Sequence, residues 1–185
     1  MATGARIFRI DLDVADVDRG VYANHALTIA RHPSETDERM MVRALAFALY
    51  ASERLEFGRG IGASDEPDLC ARDLTGRIEL WIDVGLPDER RVRKACGQAA
   101  HVRVVAYGGR TAELWWQGAR AELERHAHLE VIALSPESTQ ALAALVSPRR
   151  AMQVLVQDGD VWVTCGDERF AVALERWRRE DGSTA

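Results

Sequence analysis

The chain has 185 residues, of which 47% are hydrophobic and 29% are charged, and its formal net charge is −5. This composition is typical of a globular protein with a sizeable core and argues against disorder. The negative charge excludes nucleic-acid binding by bulk electrostatic attraction, so such binding needs a local basic patch. No apolar segment approaches the roughly 20 residues of a membrane-spanning helix, so no membrane partner is expected.

The cysteines and the N-terminal residues indicate a cytoplasmic protein. Cys70, Cys96 and Cys165 are odd in number, far apart and without a CxxC spacing. They therefore argue against a disulfide framework or a thiolate zinc site and fit a reducing compartment. The first fourteen residues contain no uninterrupted apolar segment, so we expect no signal peptide.

The chain begins with a predicted β-hairpin, placed at residues 1–30. Residues 6–14 and 20–30 alternate between apolar and polar side chains, the pattern of strands with one buried face. Residues 15–19 supply the turn between them.

Residues 33–54 show the clearest helical periodicity. Ser34 is the predicted N-cap, with Asp37 three residues later as a weak capping box. Glu35 and Glu38 continue the apolar face of this helix, where an unpaired charge would be costly. Either they are dipole-stabilised residues of a partly exposed first turn, or they serve as ligands. Glu38 is the better ligand candidate because it lies deeper in the helix.

Three strands are predicted between this helix and the next. They span residues 55–61, 68–73 and 77–85, with a loop at 62–67 and a short turn at 74–76. In the third strand, Glu79, Trp81 and Asp83 share one face, because side chains alternate along a strand.

The second helix is predicted to begin at Pro87, a favoured residue for the first helical position, and a strand follows at 101–107. Arg91 and Lys94 share one face of this helix. Lys94 is the only lysine among 24 basic residues. Its retention favours a role that needs a compact ammonium group, although a lysine without any role is the alternative.

The C-terminal third predicts two further helices and four strands. These are a helix at 112–126 capped by Thr111, a strand at 128–134, a helix at 135–146, a hairpin of 151–157 and 160–164 turning at Asp158–Gly159, and a strand at 168–174. The charged tail after the last strand is expected to fray.

Together these elements predict a single domain over residues 1–185, of the α/β (α+β) class. Helices and strands alternate in a central core at 33–107, and a C-terminal extension follows at 111–176. We expect one mixed β-sheet flanked by helices, with additional β-hairpins towards both termini.

The core order of helix, strand, Pro-Asp strand, acid-bearing strand, helix and strand resembles the PD-(D/E)XK nuclease fold. Four strings sharpen the resemblance: ARHPSETDERM at 30–40, SDEPDL at 64–69, GLPDERR at 85–91 and RKACGQA at 93–99. They are similar to those of the YaeQ family of small bacterial proteins. The resemblance extends over most of the chain and implies a variant of the PD-(D/E)XK fold.

The nuclease motif carries over residue by residue. Pro67 and Asp68 match its Pro-Asp step, and Asp83 matches its second acid. Gly85 stands where the motif has a lysine. Lys94, one helix later, is expected to reach the same space.

The resemblance implies a metal site and a basic surface. Glu38 matches the acid of the first helix, so Glu38, Asp68 and Asp83 would hold Mg²⁺ or Mn²⁺, with the Val84 carbonyl as a further ligand. Lys94 would orient water or neutralise the phosphate charge. The residues expected to bind nucleic acid are Arg90, Arg91, Arg93 and Arg103. The alternative for these arginines is a solvated helix face.

Two functions are consistent with the sequence. The first is a metal-dependent nuclease that hydrolyses nucleic-acid phosphodiesters through Asp68, Asp83 and Lys94. The second is an inactive protein of the same fold that binds nucleic acid or protein. Gly85 favours the second function, whereas the retained Lys94 and the clustered acids favour the first. DNA or RNA as substrate, and the oligomeric state, are left open.

Overall fold

The structure is a computed structural model that describes residues 4–58 and 66–181. These residues form eleven strands and four helices, arranged around two mixed sheets. The predicted mixed α+β class is confirmed, but the prediction of one mixed sheet was wrong because the strands divide between two. None of the helices in these two ranges is long and apolar enough to cross a membrane.

The chain divides into two compact units. Among the described residues, unit 1 comprises 4–51, 66 and 137–173, and unit 2 comprises 52–58, 67–136 and 174–181. The prediction of one domain over residues 1–185 stays a prediction.

Unit 1 is built on a five-stranded sheet. Its elements are β1 (Arg6–Asp16), β2 (Val21–Arg31), α1 (Asp37–Leu49), β8 (Arg149–Gln157), β9 (Asp160–Cys165), β10 (Glu168–Val172) and most of α4 (Pro136–Ala144). The strand order is β10-β9-β8-β1-β2, with only β1 and β8 parallel. Both predicted hairpins are confirmed. The β8–β9 turn has positive φ at Asp158 and Gly159, as a two-residue turn between twisted strands requires.

Helix α1 is shorter than predicted at both ends. It begins after Thr36, whose hydroxyl accepts a hydrogen bond from the Arg39 backbone N–H at 3.1 Å. The predicted N-cap Ser34 was wrong: its hydroxyl contacts the ring of His32 at 2.6 Å. Thr36 takes the cap position because its backbone is extended immediately before the helical residues.

Glu35 is the buried acid near the start of α1. Its carboxylate lies 3.0 Å from Arg43 and 2.8 Å from Arg39. Glu38, the predicted ligand, is only half-buried. The charge that the sequence places on the apolar face is thus Glu35, and it is neutralised within unit 1.

Unit 2 is built on a six-stranded sheet. Its elements are β3 (Leu55–Phe57), β4 (Leu69–Arg72), β5 (Ile78–Val84), α2 (Glu89–Gln98), β6 (Ala99–Ala106), α3 (Arg110–Leu123), β7 (Leu129–Leu134) and β11 (Leu174–Arg178). The order is β11-β7-β6-β5-β4-β3, and the parallel strands β5, β6 and β7 are joined through α2 and α3. The predicted strand at 55–61 ends at Phe57, and residues 59–65 lie outside the described residues.

Both helices of unit 2 begin differently from the prediction. Asp88 is the N-cap of α2 and accepts from the Arg91 N–H at 2.7 Å, so Pro87 precedes the cap instead of opening the helix. Helix α3 begins at Arg110 after Gly109, so Thr111 is not its cap. The positive φ of Gly109, 55°, allows the chain to turn directly from β6 into α3.

Strand β11 (Leu174–Arg178) lies at the start of the charged tail, so the prediction that this part frays was wrong, whereas residues 182–185 lie outside the described residues. β11 pairs antiparallel with β7, and the Trp177 ring stacks on Trp116 at 5.8 Å between centroids. Beyond the strand, Glu180 accepts hydrogen bonds of 2.6 Å from His101 and Arg103. Glu180 thus takes its partners from β6, which is distant in sequence.

Glu180→Gln should reduce stability at neutral pH but not in acid. Burial raises the pKa of Glu180, yet the hydrogen bonds from His101 and Arg103 outweigh burial and lower it below the ordinary value. Because the pKa of Glu180 is lower in the folded than in the unfolded protein, these hydrogen bonds stabilise the fold fully above the unfolded pKa, which is about 4.3. The stabilisation is lost as the pH falls through the folded pKa. Urea unfolding at pH 7 and pH 3 should show the difference from wild type shrinking in acid.

The matched control for this variant is Glu113→Gln, on the exposed face of α3. It should change stability little at either pH, since its ion pair is solvent-screened. An equal loss from Glu180→Gln at both pH values would contradict the assignment.

Candidate functional site

Asp68 and Asp83 lie side by side where strand β4 begins and strand β5 ends. Leu69 is paired with Ile82, and the Asp68 N–H continues this ladder by donating to the Ile82 carbonyl at 3.0 Å. The Asp68 carboxylate accepts from the Val84 N–H at 2.7 Å. Both carboxylate residues are buried. The hairpin therefore brings together the two acids that the sequence analysis singled out.

Gly58 positions the Pro67–Asp68 segment, a role that the sequence analysis missed. Its N–H donates to the Asp68 carbonyl at 2.8 Å. A Cβ atom at residue 58 would lie 2.0 Å from the Pro67 carbonyl oxygen, a contact that no side chain can make. Nothing local in the sequence indicated this close approach, because residues 58 and 67 meet only in the fold.

The cation on Asp83 is Arg91. Its Nε and Nη2 donate to the two carboxylate oxygens of Asp83, each at 2.7 Å. Two parallel bonds of this kind fix both the position and the plane of a carboxylate. The guanidinium carbon also lies 5.9 Å from the centroid of the Trp81 ring. Arg91 was predicted to contact nucleic acid, and in the structure it holds a site carboxylate.

Burial decides the acidity of Asp83. Burial raises its pKa, the hydrogen bonds and charge of Arg91 oppose this, and the nearby Asp68 charge raises the pKa further. The net result is a pKa above the ordinary aspartate value. A carboxyl group in this state depends on a neighbouring cation to remain ionised.

The remaining predicted site residues are distributed over both units. Lys94 lies on α2, almost one turn after Arg91, and is half-buried. Glu38 belongs to unit 1, whereas Asp68 and Asp83 belong to unit 2. Across residues 4–58 and 66–181, no group of three or more His, Cys, Asp or Glu residues could hold a metal ion. The ligand role of Glu38 and the catalytic role of Lys94 stay predictions.

Gly85, at the position where the resemblance places a lysine, has a backbone conformation that disfavours any side chain. Its φ is 112°, a value that side-chain-bearing residues rarely adopt. Its N–H donates to the Val105 carbonyl at 2.9 Å, which ties the chain to β6 directly after β5. A lysine at this position would strain the backbone, so the cation near Asp83 has to come from another element.

Three of the four predicted nucleic-acid-binding arginines form ion pairs within unit 2. Arg91 pairs with Asp83, Arg103 with Glu180 at 2.6 Å, and Arg93 with Glu122 at 3.4 Å. Arg90 is exposed on α2. A phosphate would therefore have to displace carboxylates from three of these four arginines. The Arg93–Glu122 pair is exposed to solvent, so breaking it costs the least free energy.

Known proteins of similar sequence and structure cover nearly the whole chain. The family model described as YaeQ protein matches residues 1–174. The uncharacterized protein YaeQ of Escherichia coli (strain K12) is 42% identical over 179 residues, which are 97% of this chain and 99% of that protein.

Two solved structures share the fold. The crystal structure of the YaeQ protein from Xanthomonas axonopodis pv. citri has a TM-score of 0.91 at 48% identity and covers 94% of this chain and 98% of that one. The crystal structure of the YaeQ protein from Pseudomonas syringae has a TM-score of 0.91 at 33% identity, with coverages of 96% and 98%.

Proposed function

The chain belongs to the YaeQ family, and we propose that it is a metal-dependent, nuclease-like protein that hydrolyses nucleic-acid phosphodiesters at Asp68 and Asp83. The observation that carries this proposal is the pair of buried carboxylates at the end of the β4–β5 hairpin. Burial and then the Asp68 charge raise the pKa of Asp83, and a bound cation would offset both effects. The Pro-Asp step and the second acid match the nuclease motif in order.

The donor set suits a hard divalent cation. Mg²⁺ and Mn²⁺ need only one or two protein carboxylates, because waters and substrate phosphates complete their coordination. Asp68 and Asp83 would hold the ion, and the Val84 carbonyl is proposed as a further ligand. Such an ion, when bound, lowers the pKa of a coordinated water and offsets charge on the phosphoryl oxygen.

The other polar groups of α2 would serve the substrate. Arg91 holds Asp83 in a fixed orientation. It also places a positive charge beside Asp83, which residue 85 cannot do because it is a glycine. Lys94, on the same helix, would neutralise charge developing on the phosphate. Arg90, Arg93 and Arg103 are proposed to position the nucleic-acid backbone, which requires Arg93 and Arg103 to leave their present carboxylates.

A second function is favoured by one specific observation. Arg91 already engages both oxygens of Asp83. An internal guanidinium could therefore replace the metal altogether, leaving a protein of nuclease-like architecture that binds a partner without hydrolysing it. The two functions differ in whether the wild-type protein binds a divalent metal while Arg91 is in place.

The test is calorimetric titration of Mn²⁺ and Mg²⁺ into four proteins: wild type, Asp83→Asn, Arg91→Gln and Glu79→Gln. Glu79 is the matched control, because it is an exposed acid on the same strand as Asp83. The hydrolytic proposal expects wild type and Glu79→Gln to bind Mn²⁺ alike, and Asp83→Asn to bind at least about tenfold more weakly. Arg91→Gln should retain Mn²⁺ binding, since a competing cation has been removed.

Cleavage assays complete the test. Fluorescent single- and double-stranded DNA and RNA, incubated with Mg²⁺ or Mn²⁺, should be cut by wild type and Glu79→Gln but not by Asp83→Asn. Absence of metal binding by wild type, both alone and with a phosphorothioate oligonucleotide, would overturn the hydrolytic proposal. Metal-independent binding of an oligonucleotide would then support the second function.

A further inference from the structure

An unbroken row of apolar residues crosses the outward face of the five-stranded sheet of unit 1. The strand register places its members next to one another in the order Ala171, Trp162, Leu155, Ala15 and Tyr22. The alternate residues of β1, β8 and β9 are mostly buried, whereas those of β2 beside Tyr22 are partly exposed. Tyr22 is 67% exposed, Ala171 is exposed, and the other three are partly exposed.

We propose that a second copy of this chain docks on this face, forming a two-fold symmetric dimer in which the two sheets pack face to face. The side chains along the row are in turn small, large, intermediate, small and large, and this order favours a second copy as the partner. A two-fold axis along the central strand β8 reverses this order in the second copy. Tyr22 of one copy then faces Ala171 of the other, Trp162 faces Ala15, and Leu155 faces Leu155. Each large side chain meets a small one, as interdigitating sheets require.

The neighbouring polar row is complementary under the same rotation. Two residues along each strand, the register aligns Arg169, Thr164, Gln153, Asp13 and Asn24. The rotation places Arg169 opposite Asn24, Thr164 opposite Asp13, and Gln153 opposite itself. Every one of these pairs combines a hydrogen-bond donor with an acceptor, and no like charges meet.

Charge and area also favour a second copy. The two rows contain one arginine and one aspartate, so this strip of the face is electrically neutral and offers no net attraction to phosphate. Five strands about 4.8 Å apart, with about seven residues each, present roughly 600 Å². Two copies would together bury roughly 1,200 Å², the lower end of the range for specific interfaces.

The test is sedimentation velocity of the full chain between about 1 and 300 µM, a range in which an interface of this size dissociates measurably. Wild type should pass from monomer to dimer within it. Leu155→Glu places two like charges opposite each other on the axis and should raise the dissociation constant by roughly 100-fold or more. Leu74→Glu is the matched control, because Leu74 is 96% exposed on the β4–β5 turn of unit 2, and it should dimerise as wild type does.

The rotation itself is tested by mixing. Leu155→Lys alone should be monomeric, but an equimolar mixture with Leu155→Glu should dimerise again, because opposite charges then meet on the axis. Tyr22→Arg provides a second disrupting variant, and circular dichroism confirms folding of each protein. The proposal is overturned by a monomeric wild type over the whole range, by a Leu155→Glu protein that dimerises normally, or by a mixture that stays monomeric.

Discussion

Arg91→Gln should lower the free energy of unfolding by about 2–4 kcal/mol at pH 7, because it leaves the buried Asp83 carboxylate without its guanidinium. The loss should shrink as the pH falls. Burial already raises the pKa of Asp83, Arg91 opposes this rise, and the Asp68 charge adds to it. Removing Arg91 should therefore raise the pKa of Asp83 further. An acid whose folded pKa exceeds its unfolded value destabilises the fold at high pH, and this loss is relieved as the pH falls through the folded pKa, because protonation then removes the buried charge.

Urea unfolding at pH 7 and pH 5 measures this effect. The matched control is Arg90→Gln, the neighbouring exposed arginine, which should change the free energy of unfolding by less than about 0.5 kcal/mol. Equal stability of Arg91→Gln and wild type at pH 7 would show that the Asp83–Arg91 pair contributes nothing to the fold. A loss that is the same at both pH values would show that Asp83 is not the group left unpaired.

Gly58→Ala should destabilise the protein by about 2–3 kcal/mol, the typical cost of forcing an atom into occupied space. The added methyl group would overlap the Pro67 carbonyl oxygen, 2.0 Å away, and would displace the backbone that carries Asp68. If Asp68 holds a metal as proposed, the same variant should also weaken Mn²⁺ binding. Thermal and urea unfolding measure the first effect, and calorimetric titration measures the second.

Gly118→Ala is the control for Gly58→Ala, since it makes the same chemical change in the middle of helix α3, where a Cβ meets nothing within 4 Å. It should stabilise the protein by about 0.5–1 kcal/mol, because alanine is the better helix former. Opposite signs for the two variants would establish that the requirement at residue 58 is spatial. If Gly58→Ala is as stable as wild type, the close contact with Pro67 does not exist in solution.

Local patterns determined most of the secondary structure. Alternation of apolar and polar residues predicted β1, β2 and the central strands, since one face of each is buried and the other exposed. The turn at Asp158–Gly159 was predictable from residue type, because glycine and aspartate tolerate the positive φ that the turn needs. The pairing of Asp68 with Asp83 followed in the same way from a short turn between two strands of matching pattern.

The N-cap residues of helices α1 and α2 could not be identified from the sequence alone, because each helix has two suitable candidates. Ser34 and Thr36, like Pro87 and Asp88, are all favoured residues for a helix start. Choosing between them depends on where the chain enters the helix, which is set by the elements on either side. The hydrogen bonds from Arg39 to Thr36 and from Arg91 to Asp88 decide it in favour of the later residue in both cases.

Side chains only a few positions apart predict which residues form most of the strands and helices, and which two acids share a hairpin. Contacts between residues far apart in the sequence decide that Arg91 holds Asp83, that Gly58 must lack a side chain, and that residues 174–178 form strand β11. The same is true of the division of the strands into two sheets. These features depend on groups that lie far apart in the sequence and meet through packing, so no local pattern contains them.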